Sequence, residues 1–539
     1  MWFFPIFIYI VVCSGAWADL FSALVGMEGM VGTEGALLDS LQAYLKSQED
    51  HLKVLRKQFD AYNAEHQMAT KDVTNYLANP INAFKIIKRL RIDWFKTAKI
   101  VWNHVPVAFP QIIEERKELA FPDENDLLDA SDAMSRLQNL YMLDSEEISN
   151  GKLKGIQYSF PMTASDCFEL GHQLANIQLF VNATTWFAIA LNKYDDDDPN
   201  PITKSLILEW LAHSSIKQGD VDKALNVTRE LLQWEPENEW AKSQLDIFTE
   251  IKQKRDTEMH QVPNENKPRN SYFIKNYAEL CRDELDLPED TKKHLKCYYL
   301  TRNDPFLKLA PVKVEEYYLD PYIVVYYDVI YDNEIKFLQE ISRSRLHRSL
   351  VADFKKKVGY MDTARISKQC WLWNDEGEVI NTLSQRVTDL TGLSMESAEP
   401  LQVVNYGTGG HYQPHTDYSS KGENRSFNIE NDRNGNRLAT FIFYLSDVEK
   451  GGRTVFPELG VGVTPRKGSA VFWFNLHPSG EGNYATLHGA CPVLQGTKWI
   501  ANKWIRQRGQ ELRVPCDLEY QVEGMTKSYP TPVPRYNNP

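Results

Sequence analysis

His415 and Asp417 close the stretch Asn405-Tyr-Gly-Thr-Gly-Gly-His-Tyr-Gln-Pro-His-Thr-Asp417. If that stretch is a strand, their spacing of two puts both side chains on one face and turns Thr416 away. A histidine nitrogen and a carboxylate oxygen on one face can bind a single cation. Joined by a second histidine from a distant strand, they form the facial 2-His-1-carboxylate set, which leaves open positions on non-heme Fe(II) for substrate and O₂. Three histidines compete to complete it. His411 stands beside Gly409-Gly410, and an i, i+4 pair shares a face only on a helix. His477 lies in a polar turn ahead of Pro478-Ser-Gly-Glu-Gly482. His488 follows a loop 73 positions after His415, a separation at which a distant sandwich strand can return beside the first, and it is the expected third ligand.

Lys498 lies ten residues beyond His488. An ammonium buried in a pocket that holds such an iron needs a carboxylate partner. A dicarboxylic cosubstrate supplies one, with the hydroxyls of Tyr406 and Thr440 as neutral company. The plainer alternative is a solvated lysine near a strand start.

The elements that must carry these residues are short strands. From about residue 320, β-branched and aromatic runs alternate with Gly-rich turns: 322–329, 401–406, 438–445, 469–475 and 498–506. Many short strands at turn-punctuated spacing predict a two-sheet sandwich or jelly roll, here placed at 306–518 with its core at 398–507 and a tail at 519–539.

Everything before it reads as helix. Leu38, Leu41, Leu45, Leu52, Leu55, Phe59 and Tyr62 alternate in threes and fours, broken at Gln48. This is a heptad seam, expected to self-associate as a coiled coil within a helical domain at 19–145; an amphipathic helix packed on its own domain is the alternative. Asn79-Pro80 interrupts that helical pattern. Between 150 and 250 one pattern occurs twice: Leu170-Gly171, Ala183, Phe187 and Ala190, then Leu211-Ala212, Gly219, Ala224, Leu231 and Pro236, 41 residues later. The spacing fits tetratricopeptide-like helix pairs that shape a groove for an extended peptide, with the excess length in the acidic loop that starts at Asp195. A plain helical spacer is the bland alternative. Polar residues 251–275 read as a linker, within a connecting region at 251–305.

At 539 residues the chain needs several cores, and 42% hydrophobic with 25% charged residues is ordinary globular composition. A net charge of −13 argues against a nucleic-acid partner. Met1 to Ala18 carries an apolar run and an Ala16-Trp17-Ala18 end, the pattern of a secretory signal peptide; the run is short for a membrane anchor, and no later stretch is long enough for a span. Six further cysteines, Cys167, Cys281, Cys297, Cys370, Cys491 and Cys516, and sequons at Asn182, Asn226 and Asn424 agree with the secretory route.

Four segments then carry a family likeness: Gln402 to Asp417, Arg437 to Asp447, Gly451-Gly-Arg-Thr-Val-Phe-Pro457, and His488-Gly-Ala-Cys-Pro-Val-Leu-Gln-Gly-Thr-Lys498 through Trp504. With the helical organisation before them, they make the chain resemble the alpha subunits of collagen prolyl 4-hydroxylases over nearly its whole mature length. The resemblance implies Fe(II) at His415, Asp417 and His488, with Lys498 on the distal carboxylate of 2-oxoglutarate. It further implies Tyr406 and Thr440 beside that cosubstrate, Trp504 near the substrate proline, and disulfides Cys281–Cys297 and Cys491–Cys516 with Cys167 and Cys370 free. The fold it implies for the last domain is a double-stranded β-helix. The implied reaction couples O₂ and 2-oxoglutarate to 4-hydroxylation of proline in Xaa-Pro-Gly peptides, with L-ascorbate as rescuing reductant. It would occur in the endoplasmic reticulum lumen, in an α₂β₂ tetramer with protein disulfide isomerase. The chain ends Arg535-Tyr-Asn-Asn-Pro539 without a retrieval tail, so that partner is expected to retain it.

Two positions depart from the family pattern. Arg506 stands where studied members carry a histidine, and the groove helix reads Leu208-Glu-Trp210-Leu-Ala-His213-Ser-Ser-Ile216 where they carry tyrosines. Trp210 keeps one aromatic face for a polyproline helix. Two other readings stay in play: the same chemistry on a non-collagen prolyl or lysyl substrate, and a non-catalytic peptide-binding assembly subunit.

Overall fold

The computed structural model describes residues 24–102, 124–195, 202–258, 276–302, 305–353, 358–360, 362–419, 434–518 and 520–522. The signal segment, Asn424 and the acidic loop beyond Asp195 lie outside the described residues.

The N-terminal part is helical: α1 (Leu24–Lys71), α2 (Pro80–Lys88), α3 (Trp94–Trp102) and α4 (Glu124–Tyr141). Asn79-Pro80 does interrupt it, because Asn79 Oδ1 accepts from the amides of Ile81 and Asn82 and Pro80 takes the first helical position. The heptad seam divides. Tyr62 is buried against Trp94 at 5.3 Å and Gln58 bonds Thr97, so its lower end packs on its own domain. Leu45, Leu52 and Phe59 are exposed.

Five helices follow: α5 (Ala164–Asn176), α6 (Phe180–Asn192), α7 (Lys204–Lys217), α8 (Val221–Trp234) and α9 (Glu239–Glu258). The twofold pattern maps onto them, with Leu170 on α5 and Leu211 on α7, the first helices of two antiparallel pairs. Gly171 lets α5 and α6 approach, since a Cβ there would meet the Phe187 ring at 3.0 Å. Residues 251–258, expected in a linker, continue α9: Ala241 and Phe248 anchor the helix in the core, while Ile251, Gln253, Lys254 and Arg255 are exposed. Lys88 is buried between Asp93 (2.9 Å) and Asp166 (3.2 Å), which ties α2 to α5.

The C-terminal part is two facing sheets. Its strands, in chain order, are β1 (Cys297–Leu300), β2 (Val312–Leu319), β3 (Tyr322–Tyr327), β4 (His347–Arg348), β5 (Arg365–Ile366), β6 (Lys368–Leu372), β7 (Leu401–Tyr406), β8 (His411–His415), β9 (Arg437–Tyr444), β10 (Thr454–Phe456), β11 (Val461–Val463), β12 (Ala470–Phe474), β13 (His488–Ala490) and β14 (Lys498–Arg506). The large sheet runs β1-β2-β3-β12-β9-β14-β7-β6-β4 and the small one β11-β10-β13-β8-β5. The edge strand β1 comes from residues expected to be linker.

Alternation on each strand assigns the faces. Phe441, Phe443, Ala501 and Ile505 pack under helices 332–343 and 378–391. Ile442, Tyr444, Ile500 and Trp473 face the small sheet, against Phe456, Val461 and Val463. The cavity between the sheets is therefore lined by one set of β14 residues, beginning with Lys498 and ending with Trp504.

The expected disulfides are not formed. Cys281 is bonded to Cys491, with Cα atoms 5.5 Å apart, while Cys297 and Cys516 are free and exposed. The cause is packing: the short helix Tyr277–Cys281 inserts Tyr277 and Leu280 against Val455 and Leu494, which brings the two sulfurs together. Cys167 and Cys370 are free and buried.

The C-terminal turns of α4 touch both neighbouring domains. Arg136 donates to Gly409 O (2.9 Å) and Tyr141 to Pro492 O (2.6 Å). On the other side Gln138 accepts from Trp186 Nε1 (3.3 Å) and Asn139 from Asn182 (3.2 Å). Asn182 is thus half-buried and engaged, whereas Asn226 is exposed.

Candidate metal centre

β8 and β13 pair antiparallel with His415 opposite His488, so residues 73 positions apart become neighbours. Asp417, expected on the same strand, lies two residues beyond its end, in the bend that follows. One ligand atom from each of the three lies within 4.8 Å of the others. His415 Nε2 is 3.6 Å from Asp417 Oδ1, and His488 Nε2 is 3.6 Å from Oδ2.

The histidines are locked in the right tautomer. His415 Nδ1 lies 2.8 Å from Gln413 O and His488 Nδ1 3.0 Å from Thr486 O. A carbonyl can only accept, so each Nδ1 carries the proton and each Nε2 keeps a lone pair for a metal. Stacking fixes the rings as well: Tyr412 lies on His415 at 3.6 Å, with the Arg365 guanidinium 4.7 Å above Tyr412, and Trp473 meets His488 edge-on at 4.6 Å. Burial pushes His488 down to about 4, which favours its neutral, ligating form.

Asp417 is an anion by construction. Burial opposes its charge, but His488, His415 and Arg437 outweigh that and hold the carboxyl well below the usual range. Oδ2 accepts from Thr440 Oγ1 (2.6 Å) and Trp504 Nε1 (2.8 Å), and Asn475 Nδ2 in turn donates to Thr440 (2.8 Å). Two nitrogens and one oxygen with hydrogen-bonded outer partners on one side of a cavity are a donor set that fits Fe(II).

Lys498 sits in the same cavity, 1% exposed. Burial lowers its ammonium to about 7. Its polar contact is with Thr454 Oγ1 at 3.3 Å, which also meets the Tyr444 hydroxyl at 2.9 Å, and the rings of Tyr406 and Tyr444 lie 5.7 Å away. Among the described residues no carboxylate pairs with it, and a buried ammonium calls for an anion.

The structure therefore gathers His415, Asp417, His488, Lys498, Tyr406, Thr440 and Trp504 around one cavity. Arg506 is not among its lining residues: Glu399 holds its Nη2 at 2.9 Å and Gly435 O accepts from Nη1 at 2.8 Å. Trp210 belongs to the separate helical groove, against His172 (4.5 Å), His213 (5.7 Å) and Phe187 (6.2 Å).

Sequence reasoning passed over Thr454, although it stands inside the quoted Gly451–Pro457 segment. It also passed over Arg437, which is paired twice with Glu399 (2.6 and 2.8 Å) and stacked on Trp504 at 3.8 Å. Tyr412, the second residue of β8, was passed over too; a register irregularity lies between it and His415, on which it stacks.

Comparison with known proteins agrees with this geometry. Residues 401–506 match the model of the 2OG-Fe(II) oxygenase superfamily, so site and fold define an oxygenase domain of that class. Residues 23–155 match the N-terminal region of prolyl 4-hydroxylase alpha subunits, and residues 164–254 the prolyl 4-hydroxylase peptide-substrate-binding domain. Prolyl 4-hydroxylase subunit alpha-1 of Homo sapiens is 37% identical over 534 residues, covering 96% of this chain and 99% of that protein. Subunit alpha-2 of Caenorhabditis elegans is 38% identical over 515 residues, covering 94% and 95%. The chain belongs to the prolyl 4-hydroxylase alpha-subunit family.

Proposed function

We propose that this chain is a catalytic prolyl 4-hydroxylase alpha subunit that hydroxylates proline in collagen-like Xaa-Pro-Gly peptides. The observation that carries this is one cavity holding both a tautomer-locked His415/Asp417/His488 set and a buried Lys498 without a carboxylate partner. Bound Fe(II) with 2-oxoglutarate and O₂ supplies oxidative decarboxylation of the keto acid to succinate and CO₂, coupled to hydroxylation of a C–H bond. The chain's own residues do the rest. His415, Asp417 and His488 hold the metal through Nε2, a carboxylate oxygen and Nε2. Lys498, steadied by Thr454, takes the far carboxylate of the cosubstrate, with the Tyr406 and Tyr444 rings excluding water around it. Trp504 stands at the metal end of β14, where an incoming proline ring would meet an aromatic face.

The finer assignments belong to the same proposal. The two sheets are read as a double-stranded β-helix, and the exposed Leu45, Leu52 and Phe59 as a self-association seam. Protein disulfide isomerase is the expected beta subunit, the endoplasmic reticulum lumen the compartment, and L-ascorbate the reductant that restores Fe(II). Asn226 is the exposed sequon among the described residues.

A second reading, the same chemistry on another proline-rich or lysyl peptide, is favoured by one feature: the groove presents Trp210, His213 and His172. The assembly-subunit reading is opposed by the complete donor set. The deciding experiment incubates the co-expressed complex with (Pro-Pro-Gly) repeats and a panel of other proline-rich peptides, scoring added oxygen by mass. Hydroxylation of the collagen-like repeat supports the proposal; turnover confined to another peptide replaces it with the second reading.

A further inference from the structure

A cleft of about 660 Å³ separates the N-terminal helices from the first helix of the peptide domain. One wall is Arg91, Lys96 and Lys99; the other is His172 and Gln173 of α5, with Phe95 among the apolar residues between. Lys96 and Lys99 are exposed and, at i and i+3 of α3, share a face. Among the described residues no carboxylate lines it, in a chain whose net charge is −13. Asp93 and Asp166 pair with Lys88, while Glu169 accepts from Gln173 at 2.7 Å and lies 3.7 Å from His172, so the acid behind the α5 wall is already engaged by that wall.

The cleft shares His172 with the aromatic cluster of the peptide domain. His172 lines it and also meets Trp210 edge-on at 4.5 Å, and Trp210 leads on to His213 and Phe180. An extended chain lying across Trp210 toward His172 would enter the cleft that Lys96 and Lys99 also line.

We propose that this cleft is a specificity subsite for an acidic residue of the peptide substrate. An Asp or Glu flanking the proline repeat seats at Lys96 and Lys99 while the prolines lie against Trp210. The inference rests on the prolyl hydroxylase reading above and narrows its substrate to proline-rich chains with acidic flanks. Long cationic side chains at a cleft rim give modest, salt-sensitive attraction that acts on capture of the peptide and not on the chemical step.

The test compares KM and kcat of the co-expressed complex for (Pro-Pro-Gly) repeats with an added Glu-Glu, Lys-Lys or Ser-Ser extension at either end. The Glu-Glu peptide is expected to show a KM roughly five- to tenfold below that of Ser-Ser, the scale of one or two exposed ion pairs, at equal kcat. That ratio falls toward one at high salt, and K96E/K99E abolishes or inverts it. Equal KM for the acidic and neutral extensions, or a preference that survives K96E/K99E, overturns the proposal. If no peptide is hydroxylated, the catalytic reading fails by itself. Anisotropy of the same fluorescently labelled peptides then decides the cleft: tighter, salt-sensitive binding of the acidic one supports it, and equal binding overturns it.

Discussion

Trp504 Nε1 donates to Asp417 Oδ2 at 2.8 Å, so an aromatic that lines the cavity and the carboxylate that completes the donor set form one hydrogen-bonded unit. Arg437, stacked on the other side of Trp504 at 3.8 Å, clamps the indole in place. The ring proposed to meet the substrate thus also orients Asp417. Trp504→Phe keeps a ring and removes the donor. Losing an outer partner of a ligand costs about 10- to 100-fold in metal affinity or rate. The expected result is a fall in kcat with a raised iron half-saturation, read by titrating Fe(II) under turnover.

Lys498 is poised to change charge near neutral pH. Burial has already brought it to about 7, so below that pH the empty site holds an ammonium and above it a neutral amine. A dianionic cosubstrate needs the ammonium, and binding above pH 7 must draw in a proton. The KM for 2-oxoglutarate is expected to be flat below about pH 7 and to climb roughly tenfold per unit above it. Lys498→Met removes the climb and raises KM at pH 7 on the order of a hundredfold, because a dianion is then buried without its partner.

Gly409 joins α4 to the metal strand. Its φ is +71°, and a Cβ placed there would lie 2.6 Å from Ala133 Cβ. Its carbonyl accepts from Arg136 at 2.9 Å, two residues before β8 begins. Gly409→Ala is expected to destabilise the chain by about 1–3 kcal/mol and to weaken iron binding, since the loop that leads into His415 must move. Thermal melting with and without Fe(II) measures both.

Leu52 and Phe59 lie on the exposed part of the α1 seam. Leu52→Asp combined with Phe59→Asp is expected to lower self-association in sedimentation runs while kcat on a short peptide stays within about twofold, because neither touches the core beneath Tyr62.

The donor set was legible because two of its three members are local. A His-x-Asp pair needs only a period of two, and His488 needed only to be the late histidine after a loop. The helix pairs were legible through Leu170-Gly171 and Leu211-Ala212 for the same reason. What escaped depends on tertiary packing. Thr454 supports Lys498 from 44 positions away, and Glu399 gathers Arg437 and Arg506 from different turns of the sheet. Family likeness supplied the wrong disulfides, because what joins Cys281 to Cys491 is the docking of Tyr277 and Leu280. Residues 251–258 read as linker because a lone helix with one buried edge shows mostly polar residues.

The most direct test is peptide-dependent conversion of 2-oxoglutarate to succinate by the iron-loaded complex, beside His488→Ala with its fold checked by circular dichroism. The account predicts succinate and singly oxygenated proline in equal amounts from the natural chain and neither from the variant. Turnover that survives His488→Ala, or an iron-loaded natural chain that releases no succinate with any proline-rich peptide, would contradict it.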